Sequence, residues 1–172
     1  MKKYIGILAL LTLLFHFEQT NAQDDKFKAL MIYNFTRVIG WPTDYTQGNF
    51  VMQVIGESQV LKELTSIAQT KKVGAQNIEV KGISSPSEMG KCHIIYVPSS
   101  SNKFLPEILA QTSSNATLVI TDKKGLNEKG SCINFFAEDG QLKYEVIIPH
   151  MKSKGLIPST SLTEPENAVK IE

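Results

Sequence analysis

The chain has 172 residues, with 18 basic and 17 acidic side chains and a formal charge of +1. That balance offers neither the basic footprint that binds nucleic-acid phosphates nor a polybasic patch for an anionic lipid surface. Length and a 42% apolar fraction suffice for one domain with its own core, and no Pro/Gly/Ser linker or internal repeat divides the chain.

The first 22 residues read as a secretory leader. Lys2 and Lys3 precede an apolar run from Tyr4 to Phe17, and Thr20-Asn21-Ala22 places a small residue at the cleavage point. The run is short for a membrane span and is followed at once by polar Gln23-Asp24-Asp25. Cleavage removes Lys2, Lys3 and Glu18 and leaves a formally neutral chain that is exported and not inserted in the membrane. The expected organisation is a leader over 1–22, one α/β domain over 23–162, and a polar tail or short edge strand over 163–172.

A helix follows the leader. Phe27, Leu30, Met31, Phe35 and Val38 fall at helical spacing, with Asn34 projecting toward the same face. Asp24 or Asp25 can cap its start, Gly40 can end it, and Pro42 turns Trp41 away from helical geometry. Asn34 is expected as a buried amide tied to neighbouring backbone.

Beyond Trp41-Pro42, strand-like and helical segments alternate. Phe50 to Ile55 is an apolar strand closed by Gly56, and Ser58 caps a helix marked by Val60, Leu61, Leu64 and Ile67-Ala68. Ile78-Glu79-Val80 alternates like a strand, whereas His93 to Val97 and Leu118 to Ile120 are apolar without alternation, as buried strands are. Between them, Ser99 to Ser101 lead into a helix carrying Phe104, Leu105, Ile108 and Leu109, with Pro106 in its first turn. Ile133 to Phe136 and Leu142 to Ile148 flank Asp139-Gly140, a two-residue hairpin signal. The predicted fold class is therefore an α/β single-domain sandwich: a mixed sheet flanked by helices, ending in an antiparallel hairpin.

No assembled catalytic pattern is present. The chain lacks G-x-S-x-G, G-x-x-x-x-G-K-[ST] and H-E-x-x-H, so no nucleophile elbow, phosphate loop or zinc helix is encoded locally. His93 follows Cys92 in a strand, which sends the two side chains to opposite faces, unable to grip one metal. His93 is expected beside the core, and His150 at a helix end or on the surface. No cofactor, metal or catalytic residue is expected. Cys92 and Cys132 sit in apolar strand-like runs; export makes a disulfide between them conceivable, while burial suits two free thiols, and both readings stay open. Three loops follow strand ends, where ligands bind in open α/β sheets. They hold Glu57 and Ser58, then Ser99, Ser100 and Ser101, then Asp122 and Lys123. These are the candidate ligand-edge residues, although caps and turns use the same types.

The order of segments resembles one family. Tyr33-Asn34-Phe35 followed by Trp41-Pro42, then Val54-Ile55-Gly56, Cys92 to Val97, Leu118 to Asp122, Gly130 to Phe136, Tyr144-Glu145-Val146 and Gly155-Leu156 are similar to the YfiR/HmsC-like periplasmic proteins. Tyr33, Asn34, Phe35, Trp41 and Pro42 stand as signature residues with structural roles. The resemblance spans roughly 26 to 162 and implies an α/β architecture, a periplasmic location and a non-enzymatic regulator. Members are associated with repression of a membrane-anchored diguanylate cyclase, so the implied partner is a membrane signalling protein, a cyclase or a sensor kinase, met through its periplasmic region; a homodimer is left open. Ile147 and Cys132 depart from the family pattern. The competing reading is a periplasmic module that binds a small molecule, an anion above all, on the three strand-end loops. A hydrolase would need a Ser and a His brought together from distant segments.

Overall fold

The computed structural model describes residues 22–171. The expected leader lies outside them but for Ala22. The described residues begin with a helix over 22–38 (α1), which runs directly into a two-residue strand, β1 (Ile39–Gly40). Then come β2 (Phe50–Ile55), α2 (Gln59–Ala68), β3 (Lys72–Val73), β4 (Gln76–Ile83) and β5 (Ile94–Val97). The second half holds α3 (Leu105–Gln111), β6 (Leu118–Thr121), β7 (Ile133–Glu138), β8 (Gln141–Ile147), α4 (Ile148–Ser153), β9 (Ile157–Pro158) and β10 (Ala168–Ile171).

Eight of these strands form one mixed sheet in the order β10-β8-β7-β6-β5-β2-β4-β3, and β1 pairs with β9 apart from it. The five central strands, β4-β2-β5-β6-β7, are all parallel. β8 is antiparallel to β7, β3 is antiparallel to β4, and β10 lies parallel along β8. The sandwich expected from the sequence is thus the observed class. Residues 168–171 form the edge strand that was one of two readings of the C-terminal segment.

The alternation of side chains in each strand divides the core between the two sheet faces. Phe50, Met52, Val54, Ile94, Tyr96, Leu118 and Ile120 face one layer, with Ala29, Ile32 and Phe35 of α1, Val60 and Leu64 of α2, and Met151 of α4. Ile55, Ile95, Val97 and Val119 face the other, where Leu105 and Ile108 of α3 cover them. Helices therefore flank both faces, as a largely parallel sheet requires. Phe35 packs on Phe135 and Tyr144 with ring centroids 6.1 and 5.2 Å away, which seats α1 over the β7–β8 end of the sheet. The β7–β8 turn carries Asp139 at φ 52° and Gly140 at φ 73°, the paired left-handed geometry of a type I′ hairpin.

The structure shifts the expected face of α1: Phe35 is buried and Met31 and Val38 pack against the core as expected, but Phe27 and Leu30 do not. Ala29, Ile32, Phe35, Thr36 and Ile39 are buried, whereas Phe27 and Leu30 are 39% and 48% exposed. The true inner stripe uses small Ala29 and polar Thr36, whose hydroxyl is satisfied by donating to the Tyr33 carbonyl at 2.7 Å. Asn34 is half-buried rather than enclosed, and Asp24 and Asp25 lie within the helix rather than capping it. Trp41 is half-buried with its ring edge-on to Phe50 at 5.0 Å, and Pro42 leads into a short 3₁₀ turn over Thr43–Tyr45.

The disulfide left open by the sequence does not form: Cys92 and Cys132 are both free. They stand on opposite faces, Cys92 in the α3 layer and Cys132 in the α1 layer, and the strands they precede are separated by β6. Two strand spacings put their backbones about 10 Å apart, beyond the reach of a disulfide.

Candidate functional site

The strand order fixes where a cleft must open. From β2 the chain crosses by α2 to β4 on one side, then returns past β2 to β5 and continues outward through β6 and β7. The winding therefore reverses between β2 and β5, and the loops leaving their C-terminal ends diverge to leave a crevice. The structure has such a cleft, of about 380 Å³.

Five of the seven sequence-predicted loop residues line it: Glu57 and Ser58 after β2, Ser99 and Ser100 after β5, and Asp122 after β6. The other two are placed elsewhere. Ser101 is 6% exposed and lies under the β2 loop, its Oγ only 2.5 Å from where a Cβ on Gly56 would stand. With φ at +78° as well, position 56 accepts only glycine without strain, and Ser101 is part of the floor that demands it. Lys123 points into a separate cavity. Ser58 caps α2 as expected, accepting the Val60 N–H at 3.1 Å, so its hydroxyl is engaged in helix capping at the mouth of the cleft.

Asp24, Asp25 and Lys28 of α1 complete the lining and were not foreseen as site residues. The Lys28 ammonium sits 3.1 Å from Asp122 Oδ2 and 3.3 Å from Asp25 Oδ1. Tyr96, from β5, donates its hydroxyl to the same Asp122 oxygen at 2.6 Å. The Asp122 side chain is only 8% exposed, and among the described residues its Oδ1 has no hydrogen-bond partner. Burial alone would lower the Lys28 pKa, but Asp122 and Asp25 more than offset it, so the ammonium is held charged. Burial, and then the charge of Asp122, push the Tyr96 phenol well above its ordinary value and keep it a donor. One local signal for Lys28 was available in the i, i+3 spacing with Asp25; its reach to Asp122, 94 residues away, was not readable.

Four carboxylates against one ammonium give this cleft a formal negative charge. That charge opposes an anion, the ligand expected for the strand-end loops, even with the α2 N-terminus nearby. The loop after β6 is fixed from behind by Asn134, whose Oδ1 accepts from Thr121 Oγ1 at 2.8 Å and the Lys123 N–H at 3.2 Å while its Nδ2 donates to Glu145 at 3.0 Å.

The histidines take structural positions. His93 Nδ1 accepts the Val51 N–H at 3.0 Å and Nε2 donates to the Tyr45 carbonyl at 2.7 Å, which fixes a neutral tautomer with both nitrogens used. Its ring stacks on Phe50 at 4.1 Å. His150 Nδ1 donates to the Ser131 carbonyl at 2.8 Å from within α4. Among the described residues, no group of three or more His, Cys, Asp or Glu side chains is placed to hold a metal ion, and no helix is long and apolar enough to cross a membrane.

Fold and cleft together define a doubly wound α/β domain whose strand-end crevice is stitched by a charged pair to its first helix. The sequence profile of the YfiR/HmsC-like family matches residues 25–164, and the chain belongs to that family. No curated protein matches the chain.

Proposed function

We propose that this protein is a non-enzymatic periplasmic regulator that binds a membrane-anchored signalling protein and holds it inactive, the expected partner being a diguanylate cyclase that makes cyclic-di-GMP. The observation that carries this reading is the family match over 25–164, which takes in the whole sheet except its last strand. Restraint of this kind requires higher affinity for the inactive partner than for the active one, and a signal that removes the difference. In-cell crosslinking of the exported protein, read by mass spectrometry, is expected to recover an inner-membrane cyclase or kinase with a periplasmic segment. Deleting the protein is expected to raise cyclic-di-GMP. Recovery of no such protein from a well-expressed, folded sample, with cyclic-di-GMP unchanged on deletion, overturns the proposal.

The switch-point cleft supports a second reading, a small-molecule module. Its carboxylates and the Ser99 and Ser100 hydroxyls favour a cationic or polyhydroxyl ligand. Thermal-shift screening with cationic and polyhydroxyl compounds tests this reading, and no stabilisation by any of them overturns it.

A further inference from the structure

A second cavity, of about 410 Å³, lies beside the cleft, between the turn that enters α3 and the connection from β6 to β7. Its chemistry is opposite. Lys123, Lys124 and Lys129 line it together with Leu109 and Leu126, and no acidic side chain does. Among the described residues none of the three ammonium groups forms a salt bridge; the carboxylate that senses Lys124 is Glu138, which is itself bonded to Lys143 at 2.7 Å. Asn102 also lines the cavity, and both its Nδ2 and its Oδ1 are shielded from solvent without a hydrogen-bond partner among the described residues. A shielded amide with neither atom paired is rare in folded proteins and points to a ligand that supplies the complement.

The lining therefore pairs three cations and a polar amide with leucine side chains, in a volume typical of small-molecule sites. The loop that carries the lysines has a fixed base, because Asn134 holds the Lys123 amide and the buried Ser131 hydroxyl donates to the Leu126 carbonyl at 3.0 Å. We propose that this cavity binds a small amphipathic anion, a carboxylate or phosphate head on a short aliphatic body, with the head against the lysines and Asn102 and the body on Leu109 and Leu126. The anion chemistry expected of the strand-end loops thus belongs to the neighbouring cavity. This proposal stands apart from restraint of a signalling partner and holds or fails without it.

The test is NMR titration of the isotopically labelled protein with octanoate, octyl phosphate, octanol and inorganic phosphate. Octanoate, octyl phosphate or both are expected to give saturable shifts at the Asn102 side-chain amide and the Leu109 and Leu126 methyls. Affinity is expected to fall at least tenfold in K124A/K129A, both exposed positions, and to be unchanged in K62A on α2. A second variant, N102L, is expected to weaken binding at least threefold, provided its amide spectrum stays native. Octanol binding as tightly as octanoate, inorganic phosphate binding as tightly as octyl phosphate, or affinity unaltered in K124A/K129A overturns the proposal. So does a response to anionic vesicles with none to the monomeric amphiphiles, which would make the lysines a membrane-facing patch.

Discussion

His93 shows how one side chain can replace part of a backbone ladder. Its ring nitrogens close the Val51 and Tyr45 backbone groups at the start of the β2–β5 pairing, and its face completes an aromatic cluster with Phe50, Tyr45 and Trp41. Burial, aided by nearby Lys91, holds its pKa below the ordinary value. The unfolded chain therefore binds this proton first as pH falls. The stabilisation is complete above about pH 6.5 and declines as pH drops below it toward the folded-state pKa. His93→Phe keeps the ring against Phe50 but strands the Val51 N–H and leaves the Tyr45 carbonyl only its bond from Gln76 at 3.1 Å, at a cost of about 2 kcal/mol near pH 7.5. Urea midpoints at pH 7.5 and 5.5 are expected to fall in the wild type, and to fall much less in the variant. This residue was half legible in the sequence: the neighbouring Cys92 and the strand period placed it on the face opposite the cysteine, while its two backbone partners required the fold.

Among the elements, α1 is the one whose sequence misled and whose position shapes the cleft. A helical stripe read from hydrophobicity includes Phe27 and Leu30, yet the buried stripe runs through Ala29, Ile32, Phe35 and Thr36. Periodicity reveals that a helix has an inner face; which face wins depends on the partner surface, here Phe135 and Tyr144 from the far end of the chain. The strands were more readable, since β2 and the Asp139-Gly140 hairpin are specified by local pattern and turn chemistry. For the same reason the three strand-end loops were legible, and α1's contribution to the cleft was not. Lys28 binds α1 to the sheet through Asp122, with side chains 15% and 8% exposed. Lys28→Met leaves the Asp122 carboxylate buried without its counter-charge, and is expected to cost about 3 kcal/mol. Adding Asp122→Asn removes that charge while keeping an acceptor for Tyr96, so the double variant should be more stable than Lys28→Met alone. Urea unfolding of wild type, both single variants and the double variant checks this, and additive losses would refute the pairing.

At the scale of the whole molecule, the sheet is a wall between two cores, and each thiol is enclosed on its own side. Burial pushes Cys92 up to about 12 and Cys132 up to about 11, so neither offers a thiolate near neutral pH. The melting temperature is expected to be the same with and without dithiothreitol, and alkylation at pH 8 should label neither cysteine until the protein is denatured; a reductant-sensitive melt would reveal a bond this fold does not make. Sequence could not decide the matter because it gives which strands exist but not which strand separates them. The strand order has one more consequence, for a chain that emerges N-terminus first. The first long strand, β2, is central, and β4, β5, β6, β7, β8 and β10 each join a neighbour already made. The long strands can thus be laid down outward in the order of synthesis. The first helix is fixed later: its Phe35 waits for Phe135 and Tyr144, and the clasp between Ile39-Gly40 and Ile157-Pro158 ties its end to a segment more than a hundred residues downstream. It can only shut late, so it registers that nearly the whole domain has arrived.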